Sequence, residues 1–140
     1  YAQVLNWSLH RGNGRAYPPD VGFRLADGSI LSPDVAWVSN AQLGSVRREE
    51  QDGFLPLCPE LIIEVKSPSD TLGYLRKKCR RWLAAGAKAV LLVDPEKRNS
   101  EMFLPDGTHA PSADGQRAIP GIEGLTLDLT APWDDRPARG

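Results

Sequence analysis

The run from residue 60 to residue 94 reads ELIIEVK, SPSD, TLGYLRKKCRRWLAA, Gly86, AKAVLLVD. ELIIEVK (60–66) alternates as a strand does, with Leu61, Ile63 and Val65 on one face and Ile62, Glu64 and Lys66 on the other. Leu72, Leu75, Cys79, Trp82 and Leu83 recur at helical spacing. This predicts a helix over about 71–85 that packs an apolar stripe on a sheet. Ser69 or Asp70 is placed to cap its start, and Gly86 to end it. KAVLLVD (88–94) is nearly all apolar, as expected of a strand covered on both faces. Strand, helix and strand of these lengths predict a crossover between parallel neighbours. The chain is therefore predicted as α/β.

The flanks add less regular elements. Residues 1–11 read as the second half of an amphipathic helix, ended by Gly12 and Gly14. That opening predicts an N-terminal segment lying outside this sequence. VGFRL (21–25) and ILSPDVAWVS (30–39) flank a turn and predict a hairpin. Residues 40–57 lack a clear period and read as a loop with one helical turn. Residues 98–107 predict a hairpin arm turning at Pro105–Gly107. A short strand near Leu125–Leu129 closes a single domain over residues 1–132, and residues 133–140 read as a flexible tail.

At 140 residues the chain can bury a real core. With 41% hydrophobic and 25% charged residues it reads as a soluble globular protein. No apolar run reaches the length of a membrane span, so no membrane role is expected. The net charge of −1 gives no global basic field, although Arg76, Lys77, Lys78, Arg80 and Arg81 cluster. Cys58 and Cys79 fit no zinc spacing and read as buried free thiols in a cytoplasmic protein. His10 and His109 match no ligand motif.

Glu64 and Lys66 are the unusual residues of their strand, because charge on an apolar strand is costly unless solvated, paired or metal-bound. Asp34 follows Pro33 at the start of an apolar run, Val35 to Val38. If that run lies beside 60–66, Asp34 approaches Glu64. Two carboxylates at neighbouring strand ends suit a hard divalent cation such as Mg²⁺. A lysine beside them can orient water or stabilise charge developing on a phosphate. Such a set suits phosphodiester hydrolysis.

SPD (32–34) followed by E-V-K (64–66) resembles the PD-(D/E)xK pattern of restriction-endonuclease-like nucleases. The wider stretch SPDVAWV, PELIIEVKSPSD and KKCRRWLAAGAKAVLLVDPEKR resembles the Uma-two-type family of predicted bacterial endonucleases. The likeness spans about residues 20–105. It implies a restriction-endonuclease-like α/β fold, a mixed central sheet flanked by helices. It implies a Mg²⁺- or Mn²⁺-dependent endonuclease acting on DNA, with a homodimer where both strands are cut. Asp34 and Glu64 match the metal ligands of the pattern, the Val65 carbonyl a third ligand, and Lys66 the catalytic lysine. Lys78 matches a helix lysine that supports the site or its phosphate. The family also carries an acidic residue ahead of the match, and nothing here corresponds to it.

Plainer readings stand beside these. Glu64 and Lys66 could form a same-face salt bridge on an edge strand. Asp34 could serve its turn after Pro33. Lys78 could be a solvated helix lysine, with Arg76, Lys77, Arg80 and Arg81 as the exposed side of the same helix or as contacts to a nucleic-acid backbone. Trp37 and Trp82 read as core, and Asp94 as the residue holding the turn at Pro95. Ser67 and Ser69 have no base in reach, which excludes a serine nucleophile. The rival to the nuclease is a silent nucleic-acid-binding or protein-interaction module on the same fold.

Overall fold

The computed structural model describes residues 1–51 and 53–130. The limits expected at 132 and 133–140 lie outside the described residues. The elements in chain order are α1 (Ala2–Arg11), β1 (Gly14–Tyr17), β2 (Phe23–Arg24), β3 (Ile30–Leu31), β4 (Val35–Ser39) and α2 (Asn40–Gly44). A single 3₁₀ turn covers Arg48–Glu50. Then come β5 (Leu61–Val65), α3 (Leu72–Ala85), β6 (Ala89–Asp94), β7 (Asn99–Phe103), β8 (His109–Ser112), β9 (Gln116–Ala118) and β10 (Thr126–Asp128).

Six strands form the central sheet in the order β1-β4-β5-β6-β7-β8. β5 and β6 run parallel, with Glu64 level with Leu92, and the other neighbours run antiparallel. The expected crossover is thus the source of the sheet's mixed character: α3 carries the chain back across one face so that β6 can start beside the start of β5. Leu75, Cys79 and Trp82 of α3 are buried against that face, together with Ile62, Val90 and Leu92. α1 and the segment from Ile119 to Leu129 cover the opposite face, over Leu61, Ile63, Leu91 and Val93. The alternation read from ELIIEVK is therefore the alternation between two cores. Each fully buried aliphatic side chain contributes about 1.5–3 kcal/mol. The architecture is mixed α/β, with helices flanking a mixed central sheet.

α3 ends at Gly86 in the left-handed region, φ 119°. The Gly86 and Ala87 N–H groups bond back to the Leu83 and Trp82 carbonyls, an arrangement glycine adopts without strain. Asp94 closes β6 by accepting the Lys97 N–H at 3.2 Å, the turn role expected of it. The two ends of the described chain are joined. Gln3 donates to the Asp128 carbonyl at 2.6 Å and accepts the Asp128 N–H at 2.7 Å.

Four expectations need correction. Residues 30–39 do not form one strand. β3 pairs with β2 in a separate two-stranded sheet, and only β4 joins the central one. Pro33 lies at the break, where a residue without an N–H interrupts a ladder. The cap of α3 is Thr71, whose hydroxyl accepts the Tyr74 N–H, and not Ser69 or Asp70. Asp70 instead accepts the Ser67 N–H and hydroxyl, at 2.9 and 2.8 Å. β1 and β9 were not expected, because GRAY and QRA are short and carry no clear pattern, whereas β7 and β8 form the hairpin expected about Pro105–Gly107. Arg76 is not merely on the exposed side of α3, since it binds the buried Glu101 through two nitrogens, at 2.9 and 3.3 Å.

Candidate active site

The site begins at the end of β4's pairing with β5. Ala36 and Val38 belong to the core under α3, as does Ile62. Asp34 and Glu64 share their parity and so face the α3 side. Two hydrogen bonds brace them across the strands: the Asp34 N–H donates to Glu64 Oε1 at 3.3 Å, and the Val65 N–H donates to Asp34 Oδ2 at 2.6 Å. Each carboxylate thus holds the backbone next to the other.

Pro33 bears on the Val65 carbonyl. Val35 is level with Ile63, so continuing the register by two residues sets Pro33 opposite Val65. A proline cannot give the Val65 carbonyl a ladder hydrogen bond. Separately, the Val65 N–H donates to the Asp34 carboxylate. A hard oxygen from the backbone is left beside two carboxylates.

Glu64 is 1% exposed. α3 supplies what compensates its charge. Lys78 Nζ lies 2.9 Å from Glu64 Oε2, and the Trp82 indole N–H donates to the same oxygen at 3.0 Å. Lys78 Nζ also donates to the Ser32 carbonyl at 2.8 Å, tying α3 to the segment between β3 and β4 that brings Asp34. Burial pushes the Glu64 carboxyl above its ordinary value, and the bonds from Lys78 and Trp82 restrain that rise. Lys78 is accordingly no solvated helix lysine. Nor is Glu64 in a salt bridge with Lys66 on an edge strand, because β5 is interior and Lys66 Nζ turns to the Ser67 carbonyl at 3.3 Å. Lys66 stands half-buried one residue past β5, and its N–H bonds to the Val93 carbonyl at 2.8 Å.

The structure therefore brings Asp34, Glu64, Val65 and Lys78 together, with Lys66 adjoining. Reading the sequence alone left Trp82 as core only. It is core, but it also holds Glu64, and its place four residues after Lys78 on one helix face is the signal that could have shown this. The Ser32 carbonyl was missed and carries no sequence signal.

The donors are two carboxylates and a carbonyl, a set whose hardness fits Mg²⁺ or Mn²⁺. Asp34 Oδ1 makes no hydrogen bond among the described residues. No group of three or more His, Cys, Asp or Glu residues gathers among them. Burial pushes the thiols of Cys58 and Cys79 up to about 12, so neither offers a thiolate nucleophile, and both are free. Among the described residues no helix is long and apolar enough to cross a membrane.

The chain is similar to a solved structure titled a "putative nuclease belonging to DUF820" from Anabaena variabilis ATCC 29413. That likeness has a TM-score of 0.77 at 14% identity and covers 95% of this chain and 75% of the other. A weaker likeness joins it to a DrdV–DNA complex, with a TM-score of 0.47 at 13% identity over 79% of this chain and 9% of the other. No curated protein matches. The first likeness shows a shared fold, mixed α/β with a central mixed sheet. A family model, Uma2, described as "Putative restriction endonuclease", matches residues 1–131. The chain belongs to the Uma2 family.

Proposed function

We propose that this chain is a metal-dependent endodeoxyribonuclease that hydrolyses phosphodiester bonds. One observation carries the reading: Asp34 and Glu64 are braced against each other's backbone at the ends of β4 and β5, with Lys78 bound to Glu64 and Lys66 one residue past β5. Asp34 through Oδ1, Glu64 and the Val65 carbonyl would hold Mg²⁺ or Mn²⁺. When bound, the cation would lower the pKa of a coordinated water and neutralise charge at the phosphate. Lys66, reorienting from the Ser67 carbonyl, would donate to a phosphate oxygen and stabilise the charge that grows there. Lys78 and Trp82 would keep Glu64 in place while its charge faces substrate. One such site cuts one strand, so cutting both takes two copies and makes a homodimer part of the proposal. A cytoplasmic location follows from DNA as substrate.

A second reading has its own observation. Glu64 already has a cation, Lys78, at 2.9 Å. A silent nucleic-acid-binding module could keep that pair for stability alone. The test is supercoiled plasmid in Mg²⁺, Mn²⁺ or EDTA, beside Lys66→Ala. Nicked and then linear product with metal only, lost in the variant, is the expected result. A folded wild type that never nicks plasmid in either metal favours the silent module.

A further inference from the structure

Tyr74, Lys77, Lys78 and Arg81 stand at positions i, i+3, i+4 and i+7 of α3, so they share one face of the helix. With Arg80, and with Leu31 from β3 as the opposite wall, they line a groove of about 480 Å³. Tyr74 is 64% exposed. An aromatic ring on a basic groove is left in water without a structural partner. Lys77 and Arg81 form no ion pair among the described residues. Arg80 has its guanidinium 5.8 Å over the Phe103 ring. Arg81 is near enough to Asp27 to act on that carboxyl.

The inner wall of the groove is Lys78, which also binds Glu64 and the Ser32 carbonyl. The groove thus adjoins the candidate site through Lys78. Cations at helical spacing, Lys77 and Arg81 without an ion pair among the described residues, suit successive phosphates, and an exposed ring beside them suits a base face. Bases inside a duplex are stacked on one another and do not offer that face. We infer that the α3 groove is a binding track for single-stranded nucleic acid, leading its backbone to the Asp34–Glu64 site. This deepens the nuclease reading and rests on it for the direction of the strand, but binding to the track is separable from cutting.

The test is fluorescence anisotropy of the full chain with fluorescein-labelled oligothymidylate and with a labelled duplex, in EDTA so that nothing is cut. Tyr74→Ala should weaken the single strand about tenfold and the duplex far less. Lys77→Ala with Arg81→Ala should lower the salt slope of single-strand binding by about 1.4, two charges at roughly 0.7 each. Arg48→Ala, which removes an exposed charge elsewhere, should leave the slope unchanged. Circular dichroism melts confirm that the variants fold. Single-strand affinity and slope equal to wild type in all of them would overturn the track. A duplex loss equal to the single-strand loss in Tyr74→Ala would overturn the stacking role and with it the single-strand assignment. Plasmid cutting that depends on Lys66 while the groove variants bind normally would sink the track and keep the nuclease. Groove-dependent binding with no cutting would keep the track and sink the nuclease.

Discussion

Glu64 is the residue on which the site turns. It is a buried carboxylate with one ammonium, one indole N–H and one backbone N–H around it. Removing a partner from such a group is costly because the remaining charge stays buried. Lys78→Met should therefore destabilise the protein by about 3 kcal/mol in urea unfolding. Lys66→Met should stay within about 0.5 kcal/mol, since Lys66 bonds only its neighbour's carbonyl. Equal losses would mean that the Lys78–Glu64 pair holds nothing. The two lysines were equally visible in the sequence, but their division of labour was not. Lys66 and Glu64 are adjacent on one strand face, whereas Lys78 reaches Glu64 only because α3 folds back over the sheet. Asp34 was legible for a local reason: it follows Pro33 at the start of the apolar run that pairs with β5.

Glu101 behaves oppositely to Glu64. Burial pushes its carboxyl up, but the bonds from Arg76 and His109 outweigh that, and the net shift is down. A carboxylate held low in the folded state stabilises it above the ordinary value of 4.5, and this contribution is lost as pH falls through the depressed value. At pH 7 Glu101→Gln should cost about 2 kcal/mol, the usual buried-pair loss of about 3–5 kcal/mol reduced because both partners are part-exposed. The gap to wild type should narrow as pH drops below 4.5. Denaturant melts across that range check the sign; a gap that widens in acid would contradict it.

Among the elements, the β5–α3–β6 unit was the most readable. Its strands and helix each bury a face wide enough to write a periodic pattern. Gly86 punctuates it, and its positive φ should make Gly86→Ala cost about 1–2 kcal/mol in thermal or urea melts. A neutral result would mean that the turn relaxes to a right-handed form. The unread elements fail for a shared reason. β1 and β9 are short, and their burial comes from what lies across them rather than from their own sequence. Gly14 of β1 packs so closely on Val38 and Trp37 of β4 that a Cβ there would collide with both. That closeness is a property of the pair, and no local pattern in GRAY announces it. The break within 30–39 is the reverse case. The proline was visible, but the transfer of β3 to a separate sheet depends on where β2 lies.

For the molecule as a whole, the two faces of the sheet have different duties. The α3 face holds the charged residues that the site needs. The α1 face is apolar and is completed by the last segment of the described chain. Gln3→Ala should loosen only that second face. Hydrogen exchange should speed up in α1 and β10 while the β5 and β6 amides keep their protection. Loss of protection in β5 would mean that the faces are not separable. The reciprocal bonds between Gln3 and Asp128 span 125 positions. During vectorial synthesis both strands of the parallel pair, with the helix between them, are present once Asp94 has emerged. α1 waits for β10 until Asp128 is made. α1 is therefore among the last parts to find all of its neighbours, and a nascent chain stalled between those two points would hold the carboxylate pair with one side of its sheet only partly covered.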